Sequence, residues 1–469
     1  MHDFVSYLFH LLQRGMRFAV PTALACGVML AVCYTVCRKK GRRFPWGKAV
    51  CALLLVGWAA VTVFVTLLRS ESGEFAARQW NLQLFRAWRE AYQRFTLQIW
   101  LNVLLNIALF VPLGFLLPLL SKLFRKWYAP LGAGFGVSLL IELTQLITGS
   151  GLCDVDDLFT NTLGAMLGWC AAMFVLALHQ RSRTWPRYCA LPAAFALALS
   201  AIFISYAAQP YGNLRDASVT TADLSGVRWS VDYLLDEDSK TAWVYQAQAL
   251  DNAGADRFAA EFAAAHGVEF PDVDYYDDTA LYMNHSTGDF LNVTLHDGTW
   301  EYSLGSAAPV WDVPPQDVSE ELLRETLDNF GFSVPADTAF TLSPYGETSY
   351  RAVFSADLLP VDGGFLHGTL TCALSAQGDG QSTLSQLENR ITTLAPVHEE
   401  PILSPAQAGK SFNGAWFAQS AQQIEVHSCT LDYLSDSKGF YQPVYRFELS
   451  LTGQSGGITD AVDYVPALF

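Results

Sequence analysis

The chain has 469 residues and a formal net charge of −16, but that charge is divided between two unlike halves. Residues 1–209 carry 19 Lys and Arg against 8 Asp and Glu, whereas residues 210–469 carry 10 against 37. Net charges of +11 and −27 exclude one mixed globule, and the acidic half argues against nucleic acid, whose phosphates need Lys and Arg.

Six apolar runs fill the first half, at residues 18–37, 49–68, 99–120, 127–147, 162–178 and 188–208. A bilayer-spanning helix needs about 20 mostly apolar residues, so the runs predict an all-α transmembrane bundle of about six spans. The 162–178 run is the shortest and is expected to draw on its flanks. Loop charge then sets orientation. Arg38-Lys39-Lys40-Gly41-Arg42-Arg43 follows the first span, Lys122, Arg125 and Lys126 the third, and Arg181, Arg183 and Arg187 the fifth. The link after the fourth span, residues 148–161, holds three Asp and no basic residue. Basic links belong inside, which puts the N-terminus and residues 209–469 outside the cytoplasm, with the chain a multi-pass protein of the cell membrane. Six basic residues within eleven positions after the first span form a stop-transfer pattern rather than a signal-peptide cleavage site.

The link 69–98 breaks the charge rule with five Arg. On a helical projection, Trp80, Leu84, Trp88, Tyr92 and Phe95 share one face, opposite Arg78, Arg86, Arg89, Gln93 and Arg94. That pattern predicts a helix over residues 78–95 lying in the membrane interface, its arginines at lipid headgroups. An amphipathic helix packed on the outer domain is the alternative. Asn81 is the odd residue, projecting toward the apolar side.

The expected organisation is an N-terminal span and basic loop (1–48), a central membrane domain (49–180), a last span (181–209) and an acidic extracytoplasmic α+β domain (210–469). In that domain, strands are expected at 242–246, 290–295, 349–354, 368–374 and 444–451, and helices at 253–265, 319–329 and 405–415. The last two helices each precede strands and suggest two related units. Short closing segments, Tyr441-Gln442-Pro443-Val444-Tyr445-Arg446-Phe447 and Val465-Pro466-Ala467-Leu468, weakly resemble small extracytoplasmic regulatory domains of the PepSY and YycI type. No C-x-x-C pair occurs among the nine Cys, which argues against zinc. Cys372 and Cys429 are the only two in the outer domain, and the compartment permits either a disulfide or two free thiols.

Ionisable residues are nearly absent from the spans, so Glu142 needs a reason. Gln145 shares its face at i+3, and Asn102 and Asn106 share a face of the third span at i,i+4. Asp154, Asp156 and Asp157 come from the acidic link, and Asn161 opens the fifth span. Topology from loop charge brings all of these to one depth at the outer boundary, within reach of Asn81. Gly132-x-x-x-Gly136 and Gly164-x-x-x-Gly168 read as small-residue packing motifs.

These residues resemble the VanZ-like membrane proteins, a family named for a glycopeptide-resistance accessory protein. The resemblance runs from Asn81 to Trp169. It comprises Asn81-Leu82-x-x-Phe85, Asn102-x-x-x-Asn106-x-x-x-Phe110-x-Pro112-Leu113-Gly114, Glu142-x-x-Gln145 and Asp154-x-Asp156-Asp157-x-x-x-Asn161-x-x-Gly164-x-x-x-Gly168. Leu84 stands where the family usually has a proline before the Phe. The resemblance implies reduced susceptibility to glycopeptides such as teicoplanin, and leaves the mechanism open.

Three uses of the polar cluster follow from its chemistry. Oxygen ligands without His or Cys suit Ca²⁺ or Mg²⁺, held by Glu142, Asp154, Asp156 and Asp157, although no EF-hand glycine follows them. Glu142 and Asp157 could act as a general acid–base pair on a lipid-linked substrate, but no cationic clamp lies in the cluster, and the balance leans away from an enzyme. Structural use would have Glu142 and Gln145 bond across helices and Asp157 cap the fifth span. The partners to be considered are membrane lipids, a glycopeptide, a lipid-linked wall precursor or an envelope protein, with the outer domain as a receptor-like alternative.

Overall fold

The computed structural model describes residues 27–28, 31–32, 34–41, 44–68, 80–148, 153–214, 227–231, 235–238, 240–276, 278–305, 308–329, 332–346, 348–377, 380–409, 421–453 and 457–468. It divides into two compact units, Met1–Pro210 and Tyr211–Phe469.

In the first unit, α1 spans Trp46–Val63 and continues as one π-helical turn, Phe64–Leu68. A two-residue strand β1 (Trp80–Asn81) precedes a short helix α2 (Arg86–Arg94). Next come α3 (Leu97–Leu120), α4 (Tyr128–Thr148), a second short strand β2 (Cys153–Asp154), α5 (Val155–His179) and α6 (Ala190–Ala208). Among the described residues, five helices are long and apolar enough to cross a membrane, so this is a membrane protein. The expected first span, 18–37, lies mostly outside the described residues. The short 162–178 run does borrow from its flank. Its helix starts at Val155, because the Asp154 carboxylate caps the Asp156 N–H and Asp156 and Asp157 complement the helix dipole in the first turn. Hydropathy alone cannot see a turn made of carboxylates.

Close backbone approach holds α3 against α5. A Cβ on Gly114, Gly164 or Gly168 would lie 1.8, 2.0 and 2.0 Å from the carbonyl oxygens of Ala165, Ile107 and Val111. In lipid, where helices gain nothing from burying apolar surface, such contacts drive association. The expected Gly132/Gly136 motif is corrected: both face open space, and Gly134 between them meets the Ala165 Cβ. Gly134, Ser138, Ile141 and Glu142 are the buried stripe of α4, at the helical spacing of three to four.

In the second unit, α7 (Asn252–His266) and α8 (Glu320–Asn329) accompany strands β3 (Arg228–Val231), β4 (Lys240–Ala247), β5 (Asp272–Tyr275), β6 (Thr279–Asn284), β7 (Asp289–Thr294), β8 (Trp300–Ser303), β9 (Val310–Trp311), β10 (Ala339–Pro344), β11 (Ser349–Val361), β12 (Gly364–Gln377), β13 (Gln381–Asn389), β14 (Thr392–Ile402), β15 (Ala421–Ser435), β16 (Phe440–Gly453) and β17 (Ile458–Pro466). One continuous, almost wholly antiparallel network links them in the order β3-β15-β16-β4-β14-β12-β13-β8-β7-β6-β5, with β11 and β10 branching from β12, β9 from β13 and β17 from β16. Helices beside a large sheet confirm the α+β expectation. Of the expected helix at 405–415, Pro405–Ala408 is seen, opened by a Ser404/Gln407 capping box, and residues 410–420 lie outside the described residues.

Strand alternation builds two separate cores. In β7, Asp289, Leu291 and Val293 point inward, and the buried Asp289 is satisfied by the Tyr302 hydroxyl at 2.8 Å and the Gly305 N–H at 2.9 Å. With Leu323, Leu327, Phe354 and Leu387 these side chains form the core under α7 and α8. A second core gathers Ile402, Ile424, Phe447 and Val465. Cys372 lies in the first core and Cys429 beside the second, and the permitted disulfide between them is not formed.

Candidate functional site

The polar residues of the first unit meet at one end of its bundle, where α4 finishes and α5 begins. Strands β1 and β2 pair in parallel there, aligning Asn81 with Asp154. Asn81 Nδ2 donates to both carboxylate oxygens of Asp154, at 3.0 and 3.1 Å. The backbone N–H of Asp154 donates to Glu142 Oε2 at 2.8 Å, and Asp154 Oδ1 in turn accepts the Asp156 N–H at 2.8 Å. Asp156, 1% exposed, reaches across to the start of α2, where its carboxylate accepts the N–H of Phe85 and, at 2.7 Å, that of Ala87. Glu142 is also 1% exposed. Buried charge is costly unless it accepts hydrogen bonds, and these backbone donors are what make both carboxylates tolerable.

A second arm joins α3, α4 and α5. Asn106 Nδ2 donates to Asp157 Oδ1 at 2.7 Å, Asn161 Nδ2 to Ser138 Oγ at 2.9 Å, and Ser138 Oγ to the Asp157 carbonyl at 3.3 Å. Gln145 Nε2 donates to the Thr66 carbonyl at 3.0 Å, in the π-helical turn that ends α1. A π turn misaligns the helical ladder and releases carbonyls, which gives Gln145 a partner. Two acceptors are left over. Gln145 Oε1 and Asn161 Oδ1 are buried with no hydrogen-bond partner among the described residues.

Eight of the nine expected site residues therefore enter this network: Asn81, Asn106, Glu142, Gln145, Asp154, Asp156, Asp157 and Asn161. Asn102 does not: one turn before Asn106 on α3, it is exposed. The capping role expected of Asp157 belongs to Asp154, and Asn161 lies in the second turn of α5 rather than at its opening. Ser138 was overlooked. Its signal was available, since it sits one turn before Glu142 on the same face of α4.

The metal reading is corrected as well. Glu142, Asp154, Asp156 and Asp157 would have to converge on one ion, but each carboxylate is turned to a different N–H donor. Among the described residues, no group of three or more His, Cys, Asp or Glu could hold a metal ion. The donor set thus does not fit Ca²⁺ or Mg²⁺. The same bonds give Glu142 and Asp157 separate hydrogen-bond partners, the Asp154 N–H and Asn106 Nδ2. The arrangement ties α2, α4 and α5 together through their ends.

Helix α2 is shorter than expected and packs on two neighbouring spans. Residues 69–79, including Arg78, lie outside the described residues, and the helix covers only Arg86–Arg94. Its apolar face, Trp88, Ala91, Tyr92 and the following Phe95, packs on Trp100 and Val103 of α3 and on Leu199 and Ile202 of α6. Phe95 stacks on Tyr206, and Gln209 Nε2 donates to the Tyr92 hydroxyl at 3.0 Å. Arg86, Arg89 and Arg94 stay exposed.

No curated protein matches this chain. It aligns with a crystal structure of an uncharacterized protein from Eubacterium rectale at 15% identity and a TM-score of 0.31, over 51% of this chain and 89% of that one, a likeness that assigns nothing here. The family comparison is informative. The VanZ/LLP1 family profile matches residues 50–178, the stretch that holds every side chain of the hydrogen-bonded network, so the membrane half of this protein is VanZ-like.

Proposed function

We infer that this protein works in the cell envelope as a multi-pass VanZ-like protein that lowers susceptibility to glycopeptides such as teicoplanin, acting at the outer leaflet. One observation carries the reading: the polar residues that define the VanZ-like segment are gathered by Glu142, Asp154 and Asp156 at a single end of the bundle. Loop charge supports that end facing outward and the acidic 210–469 segment lying outside the cytoplasm. The test is teicoplanin susceptibility of a sensitive host expressing the wild-type chain or Glu142→Gln. Glutamine retains an acceptor for the Asp154 N–H, so the fold survives while any role of the carboxylate is lost. Tolerance gained with wild type and lost with Glu142→Gln, at equal membrane levels, supports the reading. No gain with wild type defeats it.

A second reading, a receptor-like anchor, is favoured by a cavity of 510 Å³ in the second unit, lined by Phe262, Trp300, Phe332, Leu370 and Ile391 with Glu261 at its side. Its size and lining suit a small amphipathic ligand. Envelope extracts that change the intrinsic tryptophan fluorescence of wild type but not of Trp300→Phe would support this reading; no change in wild type would end it.

A further inference from the structure

We propose that α2 and the turn before it form a binding surface for the phosphate and acyl chain of an anionic membrane lipid. The turn exposes Leu82 (75%), Leu84 (46%) and Phe85 (44%), and Phe85 rests edge-on against Phe159 of α5, itself 38% exposed. Four large apolar groups presented together need a non-aqueous neighbour. Directly after them stand Arg86 and Arg89, both exposed and one helical turn apart on the same side. Arg94 is engaged by Glu90 at 3.5 Å, and Arg89 Nε makes only a long bond to the Phe85 carbonyl, 3.4 Å. Among the described residues the Arg86 guanidinium makes no ion pair or hydrogen bond, the Arg86 N–H alone donating to the Gln83 carbonyl at 3.4 Å. With one acid against three arginines, α2 presents net positive charge beside its apolar turn.

The placement selects the occupant. Helix α2 packs on the first turns of α3 and the last turns of α6, so it lies at the ends of two membrane spans, where lipid phosphates are found. A soluble anion would satisfy the arginines but not Leu82, Leu84 and Phe85; a zwitterionic lipid would cover the apolar turn but gain little from the charge. The helix N-terminus is not the anion site, because Asp156 already accepts the N–H groups of Phe85 and Ala87. That same carboxylate holds α2 in place, so the guanidinium groups are presented on a rigid support. Arginine suits the task, since its planar fork matches phosphate oxygens pairwise.

The test uses full-length protein in a neutral detergent, offered equal amounts of phosphatidylglycerol and phosphatidylcholine, with retained lipid read by native mass spectrometry. Wild type should retain phosphatidylglycerol roughly tenfold over phosphatidylcholine, and Arg86→Gln with Arg89→Gln should bring the two to near parity. Arg86→Lys with Arg89→Lys should keep most of the preference, because the charge survives. Leu82→Ser with Leu84→Ser should reduce retention of both lipids without changing their ratio. Equal retention by wild type, or an undiminished preference in the Gln pair, overturns the proposal. So does displacement of phosphatidylglycerol by inorganic phosphate, which would mark a site for the free anion. If the Gln pair does not fold, the wild-type ratio and the Lys pair decide. This readout is independent of teicoplanin susceptibility, so either inference can fail alone.

Discussion

The buried carboxylate of Glu142 accepts the backbone N–H of Asp154 at 2.8 Å, joining the last turns of α4 to the residue that caps α5. Its chemistry is that of an acceptor. Glu142→Gln should therefore leave thermal stability within about 1 kcal/mol of wild type, whereas Glu142→Leu leaves the Asp154 N–H without a partner and should cost about 1–3 kcal/mol. Unfolding of the detergent-solubilised chain by temperature reads the difference; equal loss in both variants would show that the charge itself is required.

Asp156 makes a comparable contact with α2, capping it from another helix through Phe85 and Ala87. Asp156→Ala should free the start of α2 at a cost of about 1–2 kcal/mol. Limited proteolysis should then cleave within residues 82–95 faster than in wild type, while α3 to α5 remain protected.

The glycines separate into two classes. Gly114→Ala and Gly168→Ala force a Cβ into a carbonyl oxygen and must push α3 away from α5. Both should lower the melting temperature in detergent and membrane yield, whereas Gly132→Ala and Gly136→Ala, which meet open space, should change neither.

In the second unit, His296 is held between Asp278, 3.0 Å from Nδ1, and Asp297, 3.1 Å from Nε2. Burial alone would lower its pKa, but bonds and charge from the two aspartates overcome burial and push it up to about 9. The folded pKa lies above the unfolded value of about 6.5, so this stabilisation is complete below that pH and is lost as pH rises through 9. Stability of the unit should fall between pH 7 and 9 in wild type and fall less steeply in His296→Gln, as read by circular dichroism.

Cys372 is fully buried and its thiol is pushed up to about 12 by that burial. Native alkylation should spare it and modify the half-buried Cys429. Under denaturing, non-reducing conditions both should react, because neither is bridged. A single missing pair of thiols in that second experiment would contradict the structure.

The sequence by itself determined the membrane half, because spans are written in hydropathy and span length needs no partner to be read. It also determined which polar residues would gather: their helical positions and the loop charges brought Asn81, Asn106, Glu142 and the aspartates to one end. Carboxylates at a span's start were harder, since Asp154, Asp156 and Asp157 read as a loop until the helix dipole and the cap explain them. What the side chains do there was decided only by tertiary structure. A carboxylate looks the same in sequence whether it meets a cation, a substrate or an N–H, and its partner lies on another helix. Only packing showed that Asp156 caps α2, that the aromatic face of α2 rests on α3 and α6, and that Gly134 rather than Gly132 or Gly136 is crowded. The spacing of small residues marks a helix that can pack closely; the rotation of that helix about its axis is fixed by its neighbours.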